Sequence, residues 1–294
     1  MTPEQIVLQA LNGLAIGSLL FVLAAGLSLI FGMMDIVNLA HGAFYMVGGY
    51  LAYSLVRGSS SSCIRASVDF WVALMVVPPI LGLLGFALFT TLLRRLRGRH
   101  LDQVLLTIGL AIIAADLMRW CWGGQVVSLP APAGLDGSIP ILGEAYPVYR
   151  LFLIAFGVAL AVALWLVQER TRLGALIRAG VSDAEMLSAL GVDTERLFAL
   201  TFAAGAALAG LAGVVGTPIL GLHPGTDDTV LIRSLIVVVV GGLGTLSGAI
   251  LGSFVVGPAD TFGALLVPEF ALALIFMVMA LVLLFRPAGL FGRR

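Results

Sequence analysis

The sequence predicts an all-α polytopic membrane protein with about eight transmembrane helices, at least one of them broken, and a short two-helix loop on the cytoplasmic face. Three observations carry that reading. Hydrophobic residues make up 60% of the 294 residues and charged residues 11%, too little charge to cover a surface in water. The apolar residues fall into runs of about 20, the length that crosses a bilayer as a helix. The chain has sixteen basic and sixteen acidic residues, and nine of these charges sit within the 28 positions 169–196. The whole chain, residues 1–294, reads as one transmembrane domain.

The runs cover residues 6–31, 37–56, 70–93, 101–121, 149–167, 197–220, 232–256 and 268–285. Polar inserts orient them. Arg94, Arg95, Arg97 and Arg99 with His100 form a dense basic turn, which the positive-inside rule places in the cytoplasm. One span later, residues 122–148 hold Pro130, Pro132, Pro140 and Pro147, with Asp136 and Glu144 for charge. They read as an external loop ordered by turns. One further span returns the chain to the cytoplasm at 169, where Arg170, Arg172 and Arg178 agree.

The ends are harder to place. Arg286, Arg293 and Arg294 favour a cytoplasmic C-terminus, whereas three ordinary spans after Arg196 put it outside. Residues 232–256 contain Gly241-Gly242-Leu243-Gly244. Two half-length helices crossing separately there repair the parity, and such a break needs burial in protein or a wet cavity. The alternative is one kinked span with Gly244, Gly248 and Gly252 as a packing face. A very short link at 32–38 joins the first two runs and leaves the N-terminus outside. That terminus lacks a basic n-region and its apolar run exceeds an h-region, so no cleavable signal is predicted.

The charged island reads as helices over 171–179 and 183–190. Leu173, Leu176 and Ile177 share one face, as do Met186, Leu187 and Leu190. Ser182 and Glu185 have capping-box spacing, and Gly180 and Gly191 stand where C-caps favour glycine. Helices this short are marginal alone in water. They must dock, on this protein's own membrane face or on a partner, with Arg178, Asp183 and Glu185 at the exposed turn. A surface connector without a partner is the bland alternative.

Elsewhere, Asn38 and His41 lie in an apolar run, where polar groups need a partner or a cavity. They line a path, hold a helix break, or fix packing. Asp116 and Arg119 are spaced to pair on one helix face, more as structure than as function. Arg233 snorkels to the interface, and Asp227 and Asp228 with His223 and Pro224 mark an external mouth. The chain has no lysine, which excludes a P-loop. His41, His100 and His223 are scattered, no carboxylate lies at metal-ligand spacing, and no Gly-x-Ser-x-Gly elbow occurs. An enzyme is therefore not expected, and zero net charge implies no attraction to nucleic acid. Cys63 and Cys121 read as isolated packing residues, with a disulfide at the outer face as the other option.

Several segments together resemble permeases of the branched-chain amino-acid ABC-importer family, the LivH type. They are Leu11-Asn12-Gly13-Leu14 through Gly26 to Asn38-Leu39-Ala40-His41-Gly42, then Leu106-Thr107-Ile108-Gly109 and Thr171-Arg172-Leu173-Gly174 through Gly191. Leu208-Ala209-Gly210-Leu211-Ala212-Gly213, Val240-Gly241-Gly242-Leu243-Gly244-Thr245 and Arg286-Pro287-Ala288-Gly289-Leu290-Phe291-Gly292 follow in order. The resemblance implies a multi-pass subunit of the bacterial cytoplasmic (inner) membrane, embedded in lipid and paired with a second, related permease as a heterodimer. It also implies two cytoplasmic ABC ATPases, which use the ATP, and an extracytoplasmic solute-binding protein. This chain would bind no cofactor. The cargo would be a branched-chain amino acid or a related solute such as urea, an amide or a carboxylate. An ATPase-independent transporter or channel is the rival reading. Residues expected to meet the ATPase are Leu173, Gly174, Arg178, Asp183, Ala184, Glu185, Leu187, Leu190 and Gly191. The segment departs from the family's Glu-Ala-Ala…Gly pattern, since Asp183 replaces the Glu and Glu185 follows Ala184. Pathway or gate candidates are Asn12, Asn38, His41, Gly42, Gly241, Gly242, Gly244 and Gly248.

Overall fold

A computed structural model describes residues 3–34, 38–58, 68–96 and 98–292. Eleven α-helices follow in chain order among the described residues: α1 (Pro3–Met34), α2 (His41–Arg57), α3 (Phe70–Thr91), α4 (His100–Trp122), α5 (Val148–Arg170), α6 (Arg172–Ser182), α7 (Ala184–Ala189), α8 (Thr194–Leu220), α9 (Thr226–Gly241), α10 (Leu246–Leu266) and α11 (Ala271–Phe285). Seven stretches are long and apolar enough to cross a membrane: α1, α3, α4, α5, α8, α10 and Pro268–Phe285. α2 and α9, at 17 and 16 residues, are shorter. Cys63 lies outside the described residues; Cys121 stands in the last full turn of α4.

Helices α1 and α8 are apolar on all sides and form the centre. α1 packs on α5, α8, α9 and α10, while α8 packs on α2 and α3. Small residues allow the close approach. A Cβ on Gly13 would lie 2.6 Å from the Pro258 Cα, and one on Gly17 would lie 2.7 Å from the Ser253 carbonyl oxygen. Dispersion contact between backbones replaces the hydrophobic effect where lipid surrounds the bundle. α4 is peripheral, with Gln103 and Thr107 as its buried residues.

Contacts between distant segments fix the sides. On the cytoplasmic side Arg94 Nη2 lies 2.6 Å from Glu195 Oε2, joining the basic turn to the start of α8. Thr201 Oγ1 donates to Met33 Sδ at 3.0 Å, bringing the end of α1 to the same level. On the outer side Trp122 Nε1 donates to Ser54 Oγ at 2.7 Å, and Val127 bridges Leu222. The external loop holds a hairpin, β1 (Ser138–Ile141) with β2 (Glu144–Pro147), beyond the turns the sequence suggested. Its two-residue turn puts Leu142 at φ 51° and Gly143 at φ 86°, the mirror-image turn that suits twisted strands.

The run at 232–256 is broken into separate helices. α9 stops at Gly241, and the link places Gly242 at φ 112° and Gly244 at φ 75°, left-handed values that glycine adopts without a Cβ penalty. Thr245 then starts α10 by accepting the Gly248 amide at 3.2 Å. The pieces are unequal, 16 and 21 residues, rather than two half-length helices. The link between them lies against the end of α1, where Gly244 meets Gly32.

Candidate functional site

The cytoplasmic loop forms two capped helices whose boundaries differ from the sequence reading. Thr171 Oγ1 accepts the Gly174 amide at 3.1 Å and starts α6. α6 runs through Gly180 and ends at Ser182. Gly180 is therefore no C-cap: it is buried, and a Cβ there would meet Met33, Leu187 and Leu197. The cap of α7 is Asp183, whose Oδ1 accepts the Met186 amide at 2.8 Å. Ser182 instead donates to the Arg178 carbonyl at 3.1 Å, so the expected Ser182–Glu185 capping box does not form. Gly191, at φ 85°, closes α7 as expected.

Side chains on this loop divide by task. Leu187 is buried, 5% exposed, and anchors the loop to the core. Leu173, Val181, Met186 and Leu190 are exposed, Leu190 at 75%, and nothing among the described residues covers them. Arg178 turns back to α5 and away from the inter-helix turn. It donates to the Gln168 carbonyl and lies 3.6 Å from Glu169. Gly174 packs on the Gln168 backbone, while Ala184 is half-buried and Glu185 exposed.

Behind the loop lies a cavity of about 1100 Å³, lined by Gln168, Glu169, Arg178, Gly244, Thr245 and Phe291 among others. The glycines of the break are packing residues: Gly241 meets Gly248, Gly242 meets Gly292 and Gly244 meets Gly32. The tail after α11 closes the end of α9. The Leu290 amide donates to the Val240 carbonyl at 2.9 Å and the Phe291 amide to the Gly241 carbonyl at 2.8 Å, satisfying acceptors that the break strands. No periodicity signals this pairing, although Gly289 and Gly292 hint at a close approach.

Two polar clusters lie toward the outer side. One sits inside the bundle around a cavity of about 340 Å³ lined by Gln9, Asn12, Arg150, Arg233, Asp260 and Thr261 among others. Arg150 donates to Asn12 Oδ1, Asn12 Nδ2 donates to Gln9 Oε1 at 2.9 Å, and Arg233 lies 3.5 Å from Asp260. Arg233 thus pairs inside the protein instead of snorkelling outward. The other cluster borders an open groove between α2, α4 and α9, a cavity of about 450 Å³ lined by Asp116, Arg119, Asp227, Asp228 and apolar residues. Asp116 and Arg119 pair at 3.3 Å as their spacing suggested.

The segment at 38–42 borders this groove through Leu39 alone. Asn38 Oδ1 accepts the Ala40 amide at 3.1 Å. His41 is fully buried and bonds to the Leu23 carbonyl at 3.0 Å. Both hold the start of α2 in place. Gly42 lets α2 touch the Asp227 carbonyl at the start of α9.

A bundle with seven stretches long and apolar enough to cross a bilayer, one broken helix and a capped two-helix loop defines a polytopic helical membrane protein. Residues 9–283 match the family described as branched-chain amino acid transport system / permease component, and the chain belongs to that family. It is 30% identical to the high-affinity branched-chain amino acid transport system permease protein BraD of Pseudomonas aeruginosa, over 97% of this chain and 95% of that one. It is 26% identical to LivH of Escherichia coli K12, over 97% and 95% of the two chains. A probable LivH of Methanocaldococcus jannaschii is 26% identical over 83% and 76%. Among solved structures it is similar to PsaBC from Streptococcus pneumoniae in complex with Fab, at 15% identity, 93% and 89% coverage and a TM-score of 0.47. The protein is a multi-pass permease subunit of the inner membrane. Its family works with ATPase and solute-binding partners.

Proposed function

We propose that this chain forms half of the pathway of an ATP-driven importer for branched-chain amino acids, paired with a related second permease. The observation that carries this reading is the cytoplasmic loop. Leu187 and Gly180 fasten it to α1 and α8, while Leu173, Val181, Met186 and Leu190 face outward. A short apolar helix face of this kind suits a groove on a partner. Because the loop is fastened to the two central helices, a displacement of the ATPases becomes a tilt of the bundle, and two packings biased by nucleotide suffice for alternating access. The nucleotide is bound by the partner ATPases, and this chain holds no cofactor.

The exposed face of α4 supports a position for the second permease. Asp116 and Arg119 have side chains 67% and 61% exposed on an otherwise apolar helix. An ion pair facing lipid is costly; one facing a protein-walled aqueous path is not. A related chain standing against α4 and α9 would provide that wall.

The test is co-purification and uptake. Leu190→Glu leaves the permease folded in the membrane, releases the ATPases and abolishes uptake. Leu187→Glu, by contrast, detaches the loop and lowers stability. Full uptake by Leu190→Glu with ATPases still bound contradicts the reading.

A further inference from the structure

We propose that the groove between α2, α4 and α9 is a recognition site for a zwitterionic α-amino acid. Asp227 receives the ammonium group and Arg119 the carboxylate. The inference rests on the amino-acid permease reading above and adds to it the residues that read the cargo.

The charge inventory of the groove is unbalanced. Among the described residues, Asp116, Asp227 and Asp228 supply three carboxylates to its lining and Arg119 the single cation. Arg119 is held by Asp116 through one contact of 3.3 Å. Asp227 is 5% exposed, and its Oδ1 has no hydrogen-bond partner among the described residues. A buried carboxylate oxygen without a hydrogen-bond partner is expensive, and the backbone amides of Gly225, Asp227 and Asp228 beside the Asp227 carboxylate offset only part of that cost. The position of Asp227 in the first turn of α9 offsets part of that cost through the helix dipole. A complementary cation removes the rest.

An ammonium group fits this requirement better than a metal ion. Among the described residues no three His, Cys, Asp or Glu are grouped closely enough to hold a metal, and one free carboxylate oxygen makes a poor cation cage. An ammonium needs only one strong acceptor plus carbonyls or water. Arg119 then supplies what the other end of an amino acid requires. Its planar fork matches a carboxylate, and its present partner is a solvent-exposed pair that is easily exchanged. The remaining wall includes Leu39, Ile108, Ile112 and Leu231, which suits an aliphatic side chain. A cavity of about 450 Å³ is within the range that encloses a small ligand.

Gly42 holds Asp227 in place. With no side chain, it lets α2 rest directly on the Asp227 carbonyl and on Leu231. The start of α2, the start of α9 and the outer part of α4 therefore meet at one point, where three segments far apart in sequence contribute to one site.

The experiment uses the complete importer, with both permeases, ATPases and loaded binding protein, in proteoliposomes. Leucine uptake is followed alongside assembly on a sizing column. Asp227→Asn keeps the shape and removes the charge. Uptake should fall about tenfold or more, the loss expected from one charge-assisted hydrogen bond, with assembly unchanged. Asp227→Glu restores the charge and should recover part of the uptake. Wild-type uptake in Asp227→Asn overturns the proposal, and so does an equal loss in both assembled variants, which would indicate packing instead of charge. Absence of amino-acid uptake by the wild-type importer overturns the permease reading itself, a result distinct from the other two.

Discussion

The two polar clusters on the outer half of this bundle use the same residue types for different ends. The inner one is paired more fully: Arg233 has Asp260 at 3.5 Å, although its Nε has no hydrogen-bond partner among the described residues, and Arg150 has Asn12, which has Gln9 in turn. Asp260 and Arg233 side chains are 11% and 26% exposed, so the pair ties α9 to α10 within one chain. The groove cluster is open. Asp116 and Arg119 are mostly exposed, and Asp227 is buried with an oxygen left over. The inner cluster sets two arginines against one aspartate and the groove three aspartates against one arginine, so the two carry surplus charge of opposite sign.

Several substitutions break or sharpen that contrast. The largest effect is expected for Asp260→Ala, which removes the carboxylate paired with half-buried Arg233. Breaking such a pair costs about 3 kcal/mol and should appear as loss of monodisperse protein after mild heating in detergent. Gly241→Val comes next. It forces a side chain into the Gly248 backbone and should cost about 2 kcal/mol of stability by overpacking, read in the same assay. Gly42→Ala presses on the Asp227 carbonyl and should cost about 1 kcal/mol, with a larger fractional loss of uptake than of folded protein. The smallest change in stability belongs to Asp116→Asn. An exposed pair contributes about 0.5 kcal/mol or less, so the melting temperature should barely move.

Much of the architecture is legible in the sequence because lipid imposes simple rules. Apolar runs mark α1, α3, α4, α5, α8 and α11 to within a few residues, and the Gly241-Gly242-Leu243-Gly244 string marks the break between α9 and α10. The capped loop is legible as well, since both short helices and Gly191 stand where their composition placed them. What fails is whatever depends on tertiary contact. Gly180 looks like a helix stop, yet it lies under Met33, Leu187 and Leu197, and burial carries the helix past it to Ser182. Arg178 looks like a turn residue until α5 offers it Glu169 and a free carbonyl. The tail's pairing with Val240 and Gly241 joins segments with no shared pattern.

The candidate site shows the same division. Asp116 with Arg119 was visible as a spaced pair, and Asp227 with Asp228 as charges at an external mouth. That all four share one groove follows only from the fold, because more than a hundred positions separate the two pairs. His41 and Asn38 stood out more in the sequence and turn out to hold the start of α2. Rarity of a polar residue in an apolar run signals a need for a partner, and here the backbone meets part of it, leaving Asn38 Nδ2 and His41 Nδ1 without one among the described residues.

The contrast between a more fully paired and an open cluster is tested most directly by comparing Asp260→Asn with Asp227→Asn in one preparation, reading thermal stability and leucine uptake together. Asp260→Asn should lose stability. Asp227→Asn, by removing a buried carboxylate without a full set of partners, should be as stable as the wild type or more so, and should lose uptake. Destabilisation of Asp227→Asn with uptake intact would contradict the account.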